Sequence, residues 1–210
     1  MTAFAIKIIA ITTMLIDHTG AVFDLPIEFR VIGRIAFPLF VYLIAEGCHH
    51  TKSMEKYLLR LGIFAFISEV PFDLALQGGN IDFLNNTNIF YTLFLGALSV
   101  YAFQKIRYFA VLPLIAAMGA AIWLGSDYSW MGVLFIFLMA VLREIRHAEL
   151  VTIAAFMILL YAGMMVMLVG SMVSVLIVAL ANGEKGLGVK WLFYFIYPGH
   201  LLLLAVLAGL

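Results

Sequence analysis

The sequence is a succession of apolar stretches, most of them long enough to cross a lipid bilayer, joined by short polar connections. A transmembrane helix needs about 20 predominantly apolar residues. Of the 210 residues, 65% are hydrophobic and 11% are charged, whereas soluble domains average about 45–50% and about 25%. We therefore expect an all-α fold, a polytopic membrane helical bundle of about nine transmembrane helices. The apolar stretches are 4–23, 29–49, 56–77, 87–104, 108–125, 129–143, 148–164, 167–182 and 190–209.

Positive charges occur in alternate connections, which predicts the orientation of the chain in the membrane. Lysine and arginine mark cytoplasmic loops, so the pattern predicts a cytoplasmic N-terminus. It also requires 148–182 to form a hairpin of two helices, because one long helix would place the last basic loop outside. Arg30 and Arg34 break the pattern and need another explanation. The basic residues that follow the pattern are Lys7, Lys52, Lys56, Arg60, Lys105, Arg107, Arg143, Arg146, Lys185 and Lys190.

No linker, low-complexity segment or convincing repeat divides the chain, so we expect a single domain over residues 1–210. The net charge is zero and no basic tract interleaves with aromatic residues, which argues against a nucleic-acid partner. The single cysteine, Cys48, excludes an intrachain disulfide. No two histidines have the spacing of metal ligands on one helix face, so we expect no metal.

Ionisable residues within the apolar stretches predict a functional site, because each costs about 2.5–3.5 kcal/mol to insert. Asp17 and His18 lie late in the first stretch, Arg34 early in the second, and Glu69 and Asp73 late in the third. A rise of about 1.5 Å per residue places all of them at similar depth, in the outer half of the membrane. We expect them to converge. The structural alternative is a buried ion pair of Arg34 with Glu69 or Asp73 that only fixes helix packing.

The second apolar stretch carries polar groups at intervals of four, which places them on one helix face. Such a face is typical of the wall of a pathway between the two membrane surfaces. In the last stretch, Tyr197 and His200 add a second imidazole near the midplane. The residues of the interval-of-four pattern are Arg30, Arg34, Pro38, Tyr42 and Glu46, and His49 and His50 end it.

Several blocks of the sequence resemble those of the TraX family, in the same order. They are "IKIIAITTMLIDHTGAVF", "RVIGRIAFPLFVYLIAEGCHHT", "KYLLRLGIFAFISEVPFDL", "NIFYTLFLGAL", "NGEKG" and "WLFYFIYPGHLLLL". The resemblance covers most of the first hundred residues and the last thirty, and 105–180 matches only in hydropathy. The family is named for the enzyme that acetylates the N-terminus of F-type conjugative pilin. It is similar in turn to lysosomal glucosaminide N-acetyltransferase and to bacterial wall-glycan O-acetyltransferases.

The resemblance implies an acetyl-CoA-dependent acyltransferase, a multi-pass protein of the bacterial cytoplasmic (inner) membrane. Acetyl-CoA would arrive from the cytoplasm, and the acceptor would be an amine or hydroxyl at the outer side, on a pilin N-terminus, a glycan or a peptide. The family motifs map onto Asp17 and His18, onto Arg34 to Pro38, onto Glu69 to Asp73, and onto Tyr197 to His200.

The chemistry of acetyl transfer assigns expected roles to these residues. The acceptor must lose a proton as it attacks, so we expect His18 to be the general base. Arg34 would stabilise the negative charge that develops on the thioester oxygen. Neighbouring residues on a helix point about 100° apart, so we expect Glu69 rather than Asp17 to orient His18. The expected catalytic residues are His18, Asp17, Glu69 and Asp73, and the expected donor-binding residues are Arg34, Tyr42, Glu46, His49, Lys52, Arg60 and His200.

Two other classes of function remain open at this point. Buried acids and histidines are also typical of the proton relay of a proton-coupled small-molecule transporter. Against a transporter, the sequence has no pair of corresponding broken helices in two halves. The other class is a non-catalytic membrane assembly factor of a secretion or pilus system, in which the polar layer would be structural.

Overall fold

A computed structural model describes residues 1–106, 111–145, 147–188 and 190–209. All regular secondary structure in these residues is helical. Arg107 and Arg146, two of the predicted orientation signals, lie outside the described residues. The helices are α1 (Ala3–Val22), α2 (Ile27–Gly33), α3 (Ala36–His50), α4 (Met54–Leu76), α5 (Ile89–Lys105), α6 (Val111–Trp123), α7 (Ser129–Val141), α8 (Ala148–Leu160), α9 (Met165–Ala179) and α10 (Lys190–Ala208).

Every predicted apolar stretch contains helix, and the predicted division of 148–182 into two helices is confirmed. Helices α8 and α9 pack against each other and meet at a turn that contains Gly163, whose φ of +86° suits glycine. By length and composition, two helical stretches of the described chain could span a membrane. These are Ala3–Val22 and the joined stretch Ile27–His50. Large apolar side chains are exposed on many helices, including Leu59, Phe66 and Leu159, as a lipid-facing surface requires.

The second predicted helix is broken, which corrects the expectation of one continuous segment over 29–49. Helix α2 ends at Gly33 and α3 begins at Ala36, with Arg34 and Ile35 in the turn between them. Pro38 explains the break, because it has no amide proton to donate to the carbonyl of Arg34 and its ring crowds that carbonyl. The polar residues of this segment therefore do not share the face of one straight helix.

The helices pack so that one end of the bundle collects the basic residues. The backbone amides of Ala3 and Phe4 donate to the carbonyls of Glu184 and Lys185 at 2.7 and 3.1 Å, which joins the start of α1 to the loop before α10. Arg143, after α7, pairs with Glu46 near the end of α3 at 3.0 Å. The described basic connections around Glu46 and Lys185 thus lie together at one end.

Candidate functional site

A cavity of about 540 Å³ opens at the end of the bundle opposite the basic connections. We call it the histidine cavity. Helix α1 contributes Asp17 and His18, the turn between α2 and α3 contributes Arg34, and the connection before α7 contributes Asp127. The aromatic part of its wall includes Phe40, Phe72, Tyr128, Tyr161 and Tyr197.

The imidazoles of His18 and His200 contact each other directly. Nδ1 of His18 lies 2.7 Å from Nε2 of His200, and the two rings are within 10° of parallel with centroids 5.0 Å apart. Nδ1 of His200 lies 2.8 Å from the carbonyl oxygen of Ile196, one turn earlier in α10. His18 therefore has an imidazole as its partner, and not the predicted carboxylate of Glu69.

Asp17 forms ion pairs with the two arginines that broke the charge pattern. Nη1 of Arg30 donates to Oδ2 of Asp17 at 2.9 Å and to its backbone carbonyl at 3.1 Å. Nη1 of Arg34 lies 3.9 Å from Oδ1 of the same carboxylate. Arg34 is thus paired with Asp17, and not with Glu69 or Asp73 as in the structural alternative.

Arg34 keeps donor capacity for a ligand. Its Nε is buried and has no hydrogen-bond partner among the described residues, and the same is true of Oδ1 of Asp17. The guanidinium also lies beside the hydroxyls of Tyr128 and Tyr161. A cation with an unused donor at the wall of a cavity is suited to binding an oxygen that carries partial negative charge.

Glu69 and Asp73 contact the connection between α4 and α5 and not the predicted partners His18 and Arg34. Glu69 is fully buried, and its Oε2 accepts hydrogen bonds from the backbone amide of Asn88, at 3.2 Å, and from the side chain of Asn88. Oδ2 of Asp73 accepts from the amide of Asp82 at 2.8 Å. Both carboxylates thus hold the connection between α4 and α5, and neither is among the described residues that line the histidine cavity.

Asp127 is a cavity residue that the sequence interpretation missed. It lies outside the helices, and its amide donates to the carbonyl of Thr87 at 3.1 Å. Burial raises its pKa to about 6, although the nearby Arg34 and Arg30 oppose the shift. The signal in the sequence was a carboxylate in the very short polar connection between two apolar stretches.

A second cavity, of about 440 Å³, lies at the basic end of the bundle. We call it the basic cavity, and its wall carries Lys7, Arg60 and Lys185. Nε of Arg60 is buried and has no hydrogen-bond partner among the described residues. Phe40 lines both this cavity and the histidine cavity, so a single aromatic side chain belongs to the walls of both.

The predicted donor-binding residues do not lie in one cavity, and Arg34 lines the histidine cavity. Arg60 and Glu46 line the basic cavity, although Glu46 is already paired with Arg143 and lies 3.3 Å from His50. His49 and Lys52 are exposed, and Tyr42 is half-buried, and these three are not among the residues that line either cavity. His200 pairs with His18 and is not among the described residues that line either cavity.

The segment "NGEKG" shapes the basic cavity. It runs from Asn182 to Gly186, and the amide of Asn182 donates to the carbonyl of Met1 at 2.9 Å. Gly183 and Gly186 have φ values of +73° and +68°, and a Cβ on Gly186 would lie 2.8 Å from Cβ of Phe4. Glycine is therefore required at Gly186 for the loop to pack on α1 and carry Lys185 to the cavity wall.

Comparison with known proteins identifies the family. No solved structure is significantly similar to the chain. The chain is 28% identical to "Probable fimbrial assembly protein FimC, serogroup H1" of Dichelobacter nodosus, and the alignment covers 96% of this chain and 93% of that protein. The family model described as TraX protein matches residues 3–208. This match confirms the resemblance of the sequence blocks and extends it through the middle of the chain, and the chain therefore belongs to the TraX family.

Proposed function

We propose that this protein is a membrane-embedded acetyltransferase that moves an acetyl group from acetyl-CoA to an amine or hydroxyl acceptor. The observation that carries the proposal is the pair of cavities that share Phe40. One has an imidazole and a cation with an unused donor, and the other has cations suited to the phosphates of a nucleotide. Donor and acceptor would thus enter from opposite ends of the bundle and meet near His18.

The residues of the histidine cavity match the demands of acetyl transfer. The acceptor nitrogen or oxygen attacks the thioester carbon as His18 removes its proton, and the carbon–sulfur bond then breaks. The departing thiolate of CoA takes up the proton, which restores neutral His18. Arg34 donates to the thioester oxygen as negative charge develops there, and such positioned donors are worth about 2.7–4 kcal/mol in other enzymes. Asp17 holds Arg34 and Arg30 at the wall.

The basic cavity would hold the nucleotide part of acetyl-CoA. Lys7, Arg60 and Lys185 offer charge-assisted hydrogen bonds to phosphate oxygens. Lys7 and His18 both lie on α1, and His18 is eleven positions further along the helix, a rise of about 16 Å. An extended pantetheine arm that passes Phe40 would bridge this separation. No metal ion is required for these steps.

We further propose that the helices form nine spans of the bacterial inner membrane with the basic end in the cytoplasm. The grouping of basic residues at one end supports this orientation, because cytoplasmic loops are enriched in lysine and arginine. The exposed apolar side chains of the bundle support contact with lipid. The histidine cavity would then face the outer side.

The relative from Dichelobacter nodosus indicates the class of acceptor. Its name is that of a fimbrial assembly protein. The N-terminal amine of a pilin, the acceptor that the TraX resemblance implies, would suit a histidine cavity that opens on the outer side. A cell-surface glycan or peptide is the other acceptor that the chemistry of the cavity accommodates.

The name of the same relative also favours a second candidate function, a non-catalytic membrane factor for pilus assembly. Under this alternative the polar residues of the histidine cavity would only stabilise the bundle. The two candidates differ in whether the protein binds and consumes acetyl-CoA.

The test uses purified protein in detergent mixed with acetyl-CoA labelled in the acetyl group. We expect the wild type to bind acetyl-CoA and release labelled acetate slowly. His18→Ala should bind acetyl-CoA but lose acetate release by about 10²-fold or more, as expected for loss of a general base. Thr12→Ala, an exposed position on the same helix, is the matched control and should behave as the wild type. Absence of acetyl-CoA binding in the wild type would overturn the proposal and favour the assembly factor.

A further inference from the structure

We propose that His200 is a positioning residue that fixes the tautomer of His18, so that His18 presents an unprotonated Nε2 to the histidine cavity. The catalytic importance of this tautomer rests on the proposed function, because a general base must offer a lone pair to the acceptor. His200 would thus affect the reaction by holding His18, and it would not bind the donor.

The first step concerns the proton on His200. A carbonyl oxygen accepts hydrogen bonds and cannot donate them. Since Nδ1 of His200 lies 2.8 Å from the carbonyl oxygen of Ile196, Nδ1 carries the proton and donates it. In a neutral imidazole the other nitrogen is then an acceptor. Nε2 of His200 therefore has a lone pair, and it is this atom that faces His18.

The second step transfers the same reasoning to His18. Nδ1 of His18 lies 2.7 Å from the acceptor Nε2 of His200, so Nδ1 of His18 must be the donor. The remaining nitrogen of a neutral His18, Nε2, is consequently an acceptor. His18 thus donates to His200, and His200 donates to the carbonyl of Ile196. The lone pair of His18 is left on its Nε2.

The third step concerns how firmly the pair is held. Tyr197 packs edge-on against both rings, with centroids 6.0 Å from His18 and 5.6 Å from His200. Its side chain is 4% exposed, so the ring is fixed by the core. His18 lines the histidine cavity, and His200 is not among the described residues that do so. The arrangement therefore places one imidazole at the reaction site and uses the other as its support.

Without an acceptor at position 200, a neutral His18 could carry its proton on either nitrogen. The fraction protonated on Nε2 would be unable to accept a proton from the acceptor substrate. Replacement of His200 should therefore reduce kcat and leave the KM for acetyl-CoA unchanged, since donor binding is proposed for the basic cavity. The expected role of His200 in donor binding would instead raise the KM for acetyl-CoA.

The first test determines the tautomer without any need for activity. Protein with ¹⁵N-labelled histidine is purified, and the ring nitrogens of His18 are assigned by comparison with His18→Ala. In the neutral wild type we expect the proton of His18 on Nδ1. In His200→Phe, which keeps an aromatic ring but has no acceptor, we expect the proton to be shared with Nε2. A wild-type His18 protonated on Nε2 would overturn the proposal.

The second test compares two replacements of His200 in labelled acetyl transfer or acetate release. His200→Gln retains a carbonyl oxygen that can accept from Nδ1 of His18, and we expect kcat within about tenfold of the wild type. His200→Phe should lose about 10²-fold, the lower range for acid–base catalysis. Equal losses in the two variants would overturn the proposal, because the acceptor would then be irrelevant.

The two tests separate failure of this inference from failure of the proposed function. A protein that holds His18 as the Nδ1–H tautomer but consumes no acetyl-CoA would overturn the proposed function and leave the hydrogen-bond assignment standing. A protein that transfers acetyl with His18 protonated on Nε2 would overturn the role of His200 and leave the acetyltransferase standing. The pH profile of kcat should also change in His200→Phe, where Asp17, Arg30, Arg34 and Asp127 remain as the charged groups around His18.

Discussion

Gly33 lies against the carboxylate of Asp17 so closely that a Cβ on Gly33 would be 2.1 Å from Oδ1. The contact joins the end of α2 to α1 at the histidine cavity. Because Asp17 is paired with Arg30 and Arg34, any side chain at this position would displace the group that holds both arginines.

Gly33→Ala should therefore lower both stability and activity. Overpacking of a tight contact costs about 1–3 kcal/mol, and we expect a lower midpoint of thermal unfolding in detergent. Gly119→Ala is the matched control, since a Cβ on Gly119 meets nothing within 4 Å. Alanine is a better helix former than glycine, so the control should be neutral or slightly stabilised. Equal stability of the two variants would contradict the close contact.

Asp17 and Arg30 should behave as one energetic unit. Arg30→Ala and Asp17→Asn should each destabilise the protein, and the double variant should lose less than the sum of the two. We expect a coupling energy of about 0.5–3 kcal/mol in a double-mutant cycle measured by unfolding. The control cycle pairs Arg30→Ala with Glu69→Gln, because Glu69 bonds Asn88, and it should be additive. Coupling in the control cycle alone would refute this description of the ion pairs.

Asp127 should make the stability depend on pH. Its pKa is raised by burial from 3.8 to about 6 in the folded protein, so the folded state binds the proton more tightly than the unfolded state. The contribution of protonated Asp127 to the free energy of unfolding is therefore fully present below about pH 4. It is lost as the pH rises through about 6. Thermal unfolding measured from pH 4 to pH 7 should show this loss. Asp127→Asn cannot ionise and should reduce the loss, and an unchanged slope would count against the prediction.

Phe40 should control passage between the two cavities. Phe40→Trp adds volume at the shared wall, and we expect acetyl transfer to fall by up to about 10²-fold through misplacement of the donor. Binding of CoA itself, which needs only the basic cavity, should be retained. Phe66→Leu is the control, since Phe66 is 62% exposed on the outside of the bundle. Full activity of the Phe40→Trp protein would argue against a donor path past this ring.

Cysteine labelling should establish the orientation. The native Cys48 is 3% exposed and is first replaced by alanine. Asn80→Cys, in the exposed connection before α5, should react with impermeant reagents added to intact cells. Leu187→Cys, in the exposed loop before α10, should react only after permeabilisation. Labelling of residue 187 in intact cells would require the opposite orientation.

The helices could be predicted because a long apolar stretch has few alternatives to helix in a membrane. The break before α3 could have been predicted too, since Pro38 removes the hydrogen bond to Arg34. The partner of His18 could not be predicted from the sequence. His200 is 182 residues away along the chain, and depth in the membrane does not specify the direction in which a side chain points. For the same reason Glu69 and Asp73 were given the wrong partners.

The hairpin of α8 and α9 has a consequence for the surrounding lipid. Its helices contain 13 and 15 residues, which correspond to about 20 and 22 Å. The hydrocarbon layer of a typical bilayer is about 30 Å thick. In the proposed orientation, local thinning of the bilayer is one way to accommodate this mismatch beside the hairpin. Leu160, Tyr161 and Met164, at the turn of the hairpin, also line the histidine cavity. Beside such a short hairpin, an acceptor on the outer surface would have less hydrocarbon to cross before it reaches the imidazole of His18.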